Sequence, residues 1–251
     1  MKKVLIPLPA YGFDPTEVAI PWKVLHSKNV QVQFATPHGE TGKADERMLL
    51  GKDLGIWKSL LQARKDAVEA YAEMQQQQAF RAPLSYAELQ AEDFDGLVLP
   101  GGHDKGVKDY LESVTLQNLV AAFFENRQPV GAICHGVVLA ARSKDAFQKP
   151  VLRGYNTTCL LEAQELLAYR LTRLWLGDYY LTYPGLTVER EVRSILEKES
   201  QFQKGPQPLF RDAPGHMSRG FALRDRNYVS ARWPGDAYNF SALFLEVLQG
   251  R

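Results

Sequence analysis

Four short apolar runs close on or near proline or glycine: "KVLIPL" (3–8), "VQVQFATP" (30–37), "FDGLVLPGG" (94–102) and "QPVGAICHG" (128–136). Too short for buried helices and bounded by turn residues, they read as strands covered on both faces. Between them, "PTEVAIPWKVLHSK" (15–28), a long segment from about Lys58 to Gln78, and "SVTLQNLVAAFFENR" (113–127) place apolar residues at three- and four-residue spacing, the period of a helix with one buried face. Strand and helix in strict alternation leave few solutions. The expected fold is α/β: a doubly wound, mostly parallel sheet with right-handed crossovers and helices on both faces.

The run "MQQQQAF" (74–80) has helix formers before it and lacks proline and glycine, so it reads as the solvated end of a helix inserted between the second and third core strands. Beyond Gly154 the alternation loosens. There "LLEAQELLAYRLTRLWLG" (160–177) and "VEREVRSILEKES" (188–200) are helical in pattern, "RNYVSARWP" (226–234) is a late strand, and "YNFSALFLEVLQ" (238–249) is a closing helix. With no repeat and 45% hydrophobic residues, the 251 residues are expected to form a single domain, 1–251, carrying an insertion at about 40–92 and a less regular region at about 154–220.

Charge excludes some partners. Thirty basic and twenty-nine acidic residues leave a formal charge of +1, which favours neither nucleic acid nor an anionic membrane. Pro7, Pro9 and Asp14 interrupt the first apolar run before a signal core or membrane span could form. The two cysteines, Cys134 and Cys159, make no disulfide framework, so the expected compartment is the reducing cytoplasm.

Ligands of open parallel sheets collect at the carboxyl ends of the strands. Glu17 follows the first strand, Gly101 and Gly102 the third, and Cys134 the fourth. A cysteine on a strand-to-helix turn lies where unpaired amides and the helix dipole favour the reactive thiolate. His135 adjoins it and Gly136 gives the turn room. The amides of the turn Pro100-Gly101-Gly102-His103, with those near Gly136, are candidates for an oxyanion hole. Cys159 reads as structural, and His26, His38 and His216 as surface or capping residues. Glu17, His103 and Asp104 lack the spacing of a metal site, and "PAYGFDP" after the first strand is no dinucleotide-binding turn, so neither metal nor cofactor is expected.

The stretches "GFDPTEVAIPWKVL", "FDGLVLPGGHDKG", "QPVGAICHG" and "YVSARWPGDAYNFSALFLEVL" occur in an order that resembles the ThiJ/PfpI, or DJ-one, superfamily. The PGGH turn, the A-I-C-H-G elbow and the insertion are most similar to its branch of heat-inducible chaperones and glutathione-independent glyoxalases. The resemblance implies a flavodoxin-like, class I glutamine amidotransferase fold, a nucleophilic Cys134, a protonated Glu17 beside its sulfur and an acid-base or orienting role for His135. It further implies a cofactor-independent lyase or hydrolase acting on a small carbonyl such as methylglyoxal, and a homodimer. Alternatives are a PfpI-like peptidase or amidohydrolase acting on peptides, and a stress chaperone or redox sensor in which Cys134 is oxidised. This chain departs from the pattern after the next strand. Where relatives of that branch place an Asp or Glu that orients the histidine, "LRGYNTTCLLEAQE" puts Asn156, Thr157 and Thr158, with Glu162 a turn too late. The insertion and the irregular region are expected to wall the crevice and set the substrate.

Overall fold

In the computed structural model, which describes residues 1–251, nine strands form in chain order: β1 (Lys3–Pro7), β2 (Tyr11–Phe13), β3 (Gln31–Thr36), β4 (Lys43–Ala44), β5 (Leu84–Ser85), β6 (Gly96–Leu99), β7 (Val130–Ile133), β8 (Ala222–Asp225) and β9 (Tyr228–Ala231). Seven of them make one sheet of order β5-β3-β1-β6-β7-β9-β8, parallel except for β8, which runs antiparallel to β9. Strands β2 and β4 form a small parallel pair beside it. Every residue of β6 and β7 is buried, as a parallel strand covered on both faces requires.

Helices α1 (Pro15–His26), α2 (Lys65–Met74) and α7 (Ala237–Leu248) pack together on one face. On the other face α3 (Val114–Glu125) and α4 (Gly136–Arg142) lie against the sheet, α6 (Val188–Ile195) packs on α4, and α5 (Glu162–Leu176) touches α6. A continuous apolar cluster runs through both layers. The chain moves outward from β1 to β3 and β5, then returns to the opposite side of β1 with β6 and β7. The order reverses between β1 and β6, which opens a crevice at the carboxyl ends of those strands.

The expected long helix over Lys58–Gln78 is two pieces, Lys58–Leu61 and α2. No glycine or proline marks the break; tertiary bonds hold it. The Gln62 side chain donates to Leu49 O at 3.0 Å, Ala63 N–H to Met48 O at 2.8 Å, and Arg64 to Asp212 O at 2.6 Å. Helix α2 ends at Met74, and the glutamine run continues as a turn into a short helix, Gln78–Arg81.

Candidate active site

Glu17 is placed by its own helix start. The Asp14 carboxylate accepts the amides of Thr16 (2.7 Å) and Glu17 (3.1 Å), and Pro15 presets the first turn of α1. Asp14 N–H then donates to Gly101 O at 2.9 Å, while Gly101 N–H donates to the Glu17 Oε2 at 2.9 Å. The end of β1 and the turn after β6 are thereby joined across the crevice. Only glycine fits this turn: a Cβ on Gly102 would stand 2.4 Å from Gly12 O, and one on Gly101 would stand 2.6 Å from His135 N and 2.9 Å from Glu17 Oε2.

Cys134 follows β7 with φ +57°. Six non-glycine residues adopt positive φ; five are exposed, and Cys134 alone is buried, at 1% exposure. A buried side chain in this region persists only when its surroundings hold it there. Here Cys134 N–H donates to Ala231 O of β9 at 3.1 Å, and α4 begins at Gly136. The loop after β9 is itself fixed by a fully buried pair, Arg232 to Asp236, with nitrogen–oxygen contacts of 2.8 and 2.9 Å.

The Cys134 Sγ lies 3.5 Å from His135 Nδ1, and His135 Nε2 lies 3.0 Å from the Thr182 hydroxyl. That hydroxyl has one proton and donates it to His103 O at 3.0 Å. It therefore accepts from Nε2–H, which leaves Nδ1 unprotonated and facing the thiol. Burial and the nearby His103 and Arg142 hold His135 well below the usual histidine range, so it is a neutral base at rest.

Burial also raises the Glu17 carboxyl well above its ordinary range, with Asp14 adding to the effect. Glu17 accordingly keeps its proton at neutral pH. The expectation of a preformed thiolate is corrected: burial pushes the Cys134 thiol up, and an ionised Glu17 would push it further. The helix start is outweighed because the sulfur is out of water. The thiol is left to lose its proton to His135 as it reacts.

The structure brings Cys134, His135, Glu17 and Gly101 together. The Gly101 amide, expected as an oxyanion donor, is occupied by Glu17. Gly136 acts sterically, since a Cβ there would stand 2.1 Å from Leu99 O. His103, buried and held down to about 4, packs edge-on against His135 with ring centroids 5.0 Å apart. Asp104 caps its own turn by accepting Gly106 N–H at 2.8 Å. None of the residues after Gly154 weighed as a third member reaches His135: Asn156 bonds Asp225, Thr157 bonds Tyr228, Thr158 bonds Ser230, and Glu162 pairs with Arg190.

Sequence reasoning missed Thr182, which lies in a loop with no motif around it. Replacing it by valine would strand a buried N–H at a cost of about 1–3 kcal/mol. Thr182→Val is expected to lower the melting temperature and abolish the Nε2-protonated tautomer read by 15N NMR of His135. Thr182→Ser should restore both; an unchanged tautomer in the valine variant would contradict the assignment.

Residues 8–206 match the profile of a family described as ThiJ/PfpI family-like. An uncharacterized protein of Schizosaccharomyces pombe is 32% identical over 123 residues, which span 48% of this chain and 45% of that protein, so the chain matches under half of its relative's length. Among solved structures, the Francisella tularensis Rapid Encystment Protein 24 kDa is similar in fold at 16% identity, with a TM-score of 0.72 over 99% of both chains. The glyoxalase III of Candida albicans aligns at 18% identity and a TM-score of 0.70 over 98% of this chain and 97% of its own. Drosophila melanogaster DJ-1beta aligns at 18% identity and a TM-score of 0.58 over 100% and 91%. With the crossed sheet, the buried elbow cysteine and a family match running from the end of β1 to beyond α6, the chain belongs to the ThiJ/PfpI-like family.

Proposed function

We propose that this protein is a cofactor-independent, cysteine-dependent enzyme converting a small 2-oxoaldehyde, of which methylglyoxal is the simplest methyl case, to the 2-hydroxy acid. The observation that carries this reading is the contact of a buried thiol with an imidazole nitrogen whose partner nitrogen is fixed by Thr182, beside a carboxyl group that holds its proton. The Cys134 proton passes to His135 Nδ1 as sulfur bonds the aldehyde carbon, and the alkoxide recovers that proton to give a hemithioacetal. His135 then takes the proton from the former aldehyde carbon and returns it to the adjoining carbonyl carbon, while the hemithioacetal hydroxyl proton passes to the former ketone oxygen, leaving a thioester of the 2-hydroxy acid. Water cleaves the thioester and restores the thiol. The sum is methylglyoxal plus water to lactate, with no oxidant or reductant consumed.

Glu17 Oε1 has no partner in the resting protein, so an uncharged Glu17 has a proton free to donate to sulfur as negative charge develops there. The sign follows from its raised pKa. Below that value the carboxyl is neutral and supports the thiolate; as pH rises through it, the carboxylate opposes the thiolate and kcat/KM falls. Glu17→Gln is always uncharged, so its profile should lack that alkaline decline while turnover drops by about 10²-fold for want of the acid proton. A decline that persists in the variant would assign it to another group. Peptide hydrolysis is less well supported, because no carboxylate reaches His135 and Cys134 is only 1% exposed. Turnover of methylglyoxal or of an aryl-substituted 2-oxoaldehyde to its 2-hydroxy acid without added thiol is the test; absence of turnover with both would remove the reading.

A further inference from the structure

A cavity of about 180 Å³ lies beside the site, and Asp14 and His103 form part of its wall. Both expected walls contribute: Met48, Leu60 and Leu61 from the insertion, and Ala168, Leu171 and Leu209 among those from the irregular region. Ten of its sixteen lining residues are hydrophobic. At its rim Leu60, Leu167 and Leu209 are 53–72% exposed, so the approach is apolar as well.

Its wall also gathers polar atoms with nothing to bond. Nine buried side-chain polar atoms in the protein have no hydrogen-bond partner, and four of them, His103 Nδ1, Gln164 Oε1, Tyr180 Oη and Trp233 Nε1, belong to residues of this cavity. Buried polar groups are rarely left unpaired, and their concentration at one void is the mark of a site completed by a ligand. His103 links the void to the chemistry, since its ring packs on His135 and on Tyr180 at 5.0 Å each. Tyr180 Oη and Trp233 Nε1 can donate, and the Arg211 guanidinium, anchored to Leu60 O and Gln62 O at 2.8 Å, adds a fixed positive charge. The complement is an oxygen acceptor on an apolar body.

We infer that this cavity holds the side group of the substrate together with the adjoining 2-oxo oxygen, and that the side group is aromatic or branched aliphatic and not the methyl of methylglyoxal. The inference rests on the 2-oxoaldehyde reading and narrows it to aryl- or bulky alkyl-substituted members. Size supports it: an apolar void of roughly 150 Å³ accepts benzene. A methyl group would leave most of such a void empty.

Acetophenone, which has the phenyl ketone and no aldehyde, probes the cavity without reaction. Its binding to the wild-type and Cys134→Ser proteins, followed by ligand-observed NMR, should be at least about tenfold tighter than that of acetone. Ala168→Phe and Leu171→Phe each fill the void from α5 and should each weaken acetophenone at least about tenfold. Equal binding of the two ketones, or acetophenone binding unmoved by both substitutions in folded protein, overturns the inference. Because the probe needs no turnover, the two readings separate. Lactate formation from methylglyoxal without acetophenone binding rejects the cavity assignment alone, whereas cavity binding without turnover of any 2-oxoaldehyde supports the cavity and rejects the chemistry.

Discussion

Cys134→Ser is expected to lower 2-oxoaldehyde turnover by about 10³-fold or more while leaving the protein folded. Serine matches the cysteine closely in size, and nothing in the left-handed conformation at φ +57° excludes it more than cysteine. The loss is chemical: a hydroxyl in the same buried position is a far weaker acid than a thiol, so His135 Nδ1 at 3.5 Å cannot draw its proton to comparable extent. Circular dichroism and the melting temperature separate this from unfolding. A variant that keeps more than a tenth of wild-type turnover would show that sulfur is not the nucleophile.

Gly136→Ala is expected to have the largest effect on stability. The added methyl would stand 2.1 Å from Leu99 O and 2.7 Å from Pro100 O, both backbone atoms that cannot rotate away. Relief requires α4 and the end of β6 to separate, and overpacking at a rigid contact costs about 3 kcal/mol or more. For a chain of this size that corresponds to a fall in melting temperature of roughly 6–12 °C. The same displacement would move His135 from Thr182, so turnover should fall even below the transition. A melting temperature within about 2 °C of wild type would contradict the close approach of elbow and turn.

Core strands were legible because β1, β3, β6 and β7 are buried apolar runs cut by Pro and Gly, and burial is what periodicity records. Strand β8, "ALRD", escaped because it is a half-exposed edge whose Arg224 and Asp225 break any alternation. The interruption after Leu61 escaped because it depends on Met48, Leu49 and Asp212, which are distant in sequence. At the site, Glu17, the glycine turn and Cys134 could be found since strand ends locate them without coordinates. The protonation states could not, because burial governs them: the thiol expected to be ionised is held protonated, and the amide expected to receive an oxyanion is bonded to Glu17. Thr182 was hidden for the same reason. Its meeting with His135 across 47 residues is created by the loop after α5, and a threonine with no motif announces nothing.

The most direct test is the product itself. Purified wild-type protein, free of added thiol, is incubated with methylglyoxal and followed by 1H NMR. The methyl doublet of lactate is expected to grow in proportion to protein concentration, well above the rate in buffer, and a parallel incubation with an aryl-substituted 2-oxoaldehyde is expected to give its 2-hydroxy acid faster. 2-Hydroxy acid formed no faster than in buffer from both methylglyoxal and an aryl-substituted 2-oxoaldehyde, or loss of both without 2-hydroxy acid, would contradict 2-oxoaldehyde chemistry at Cys134.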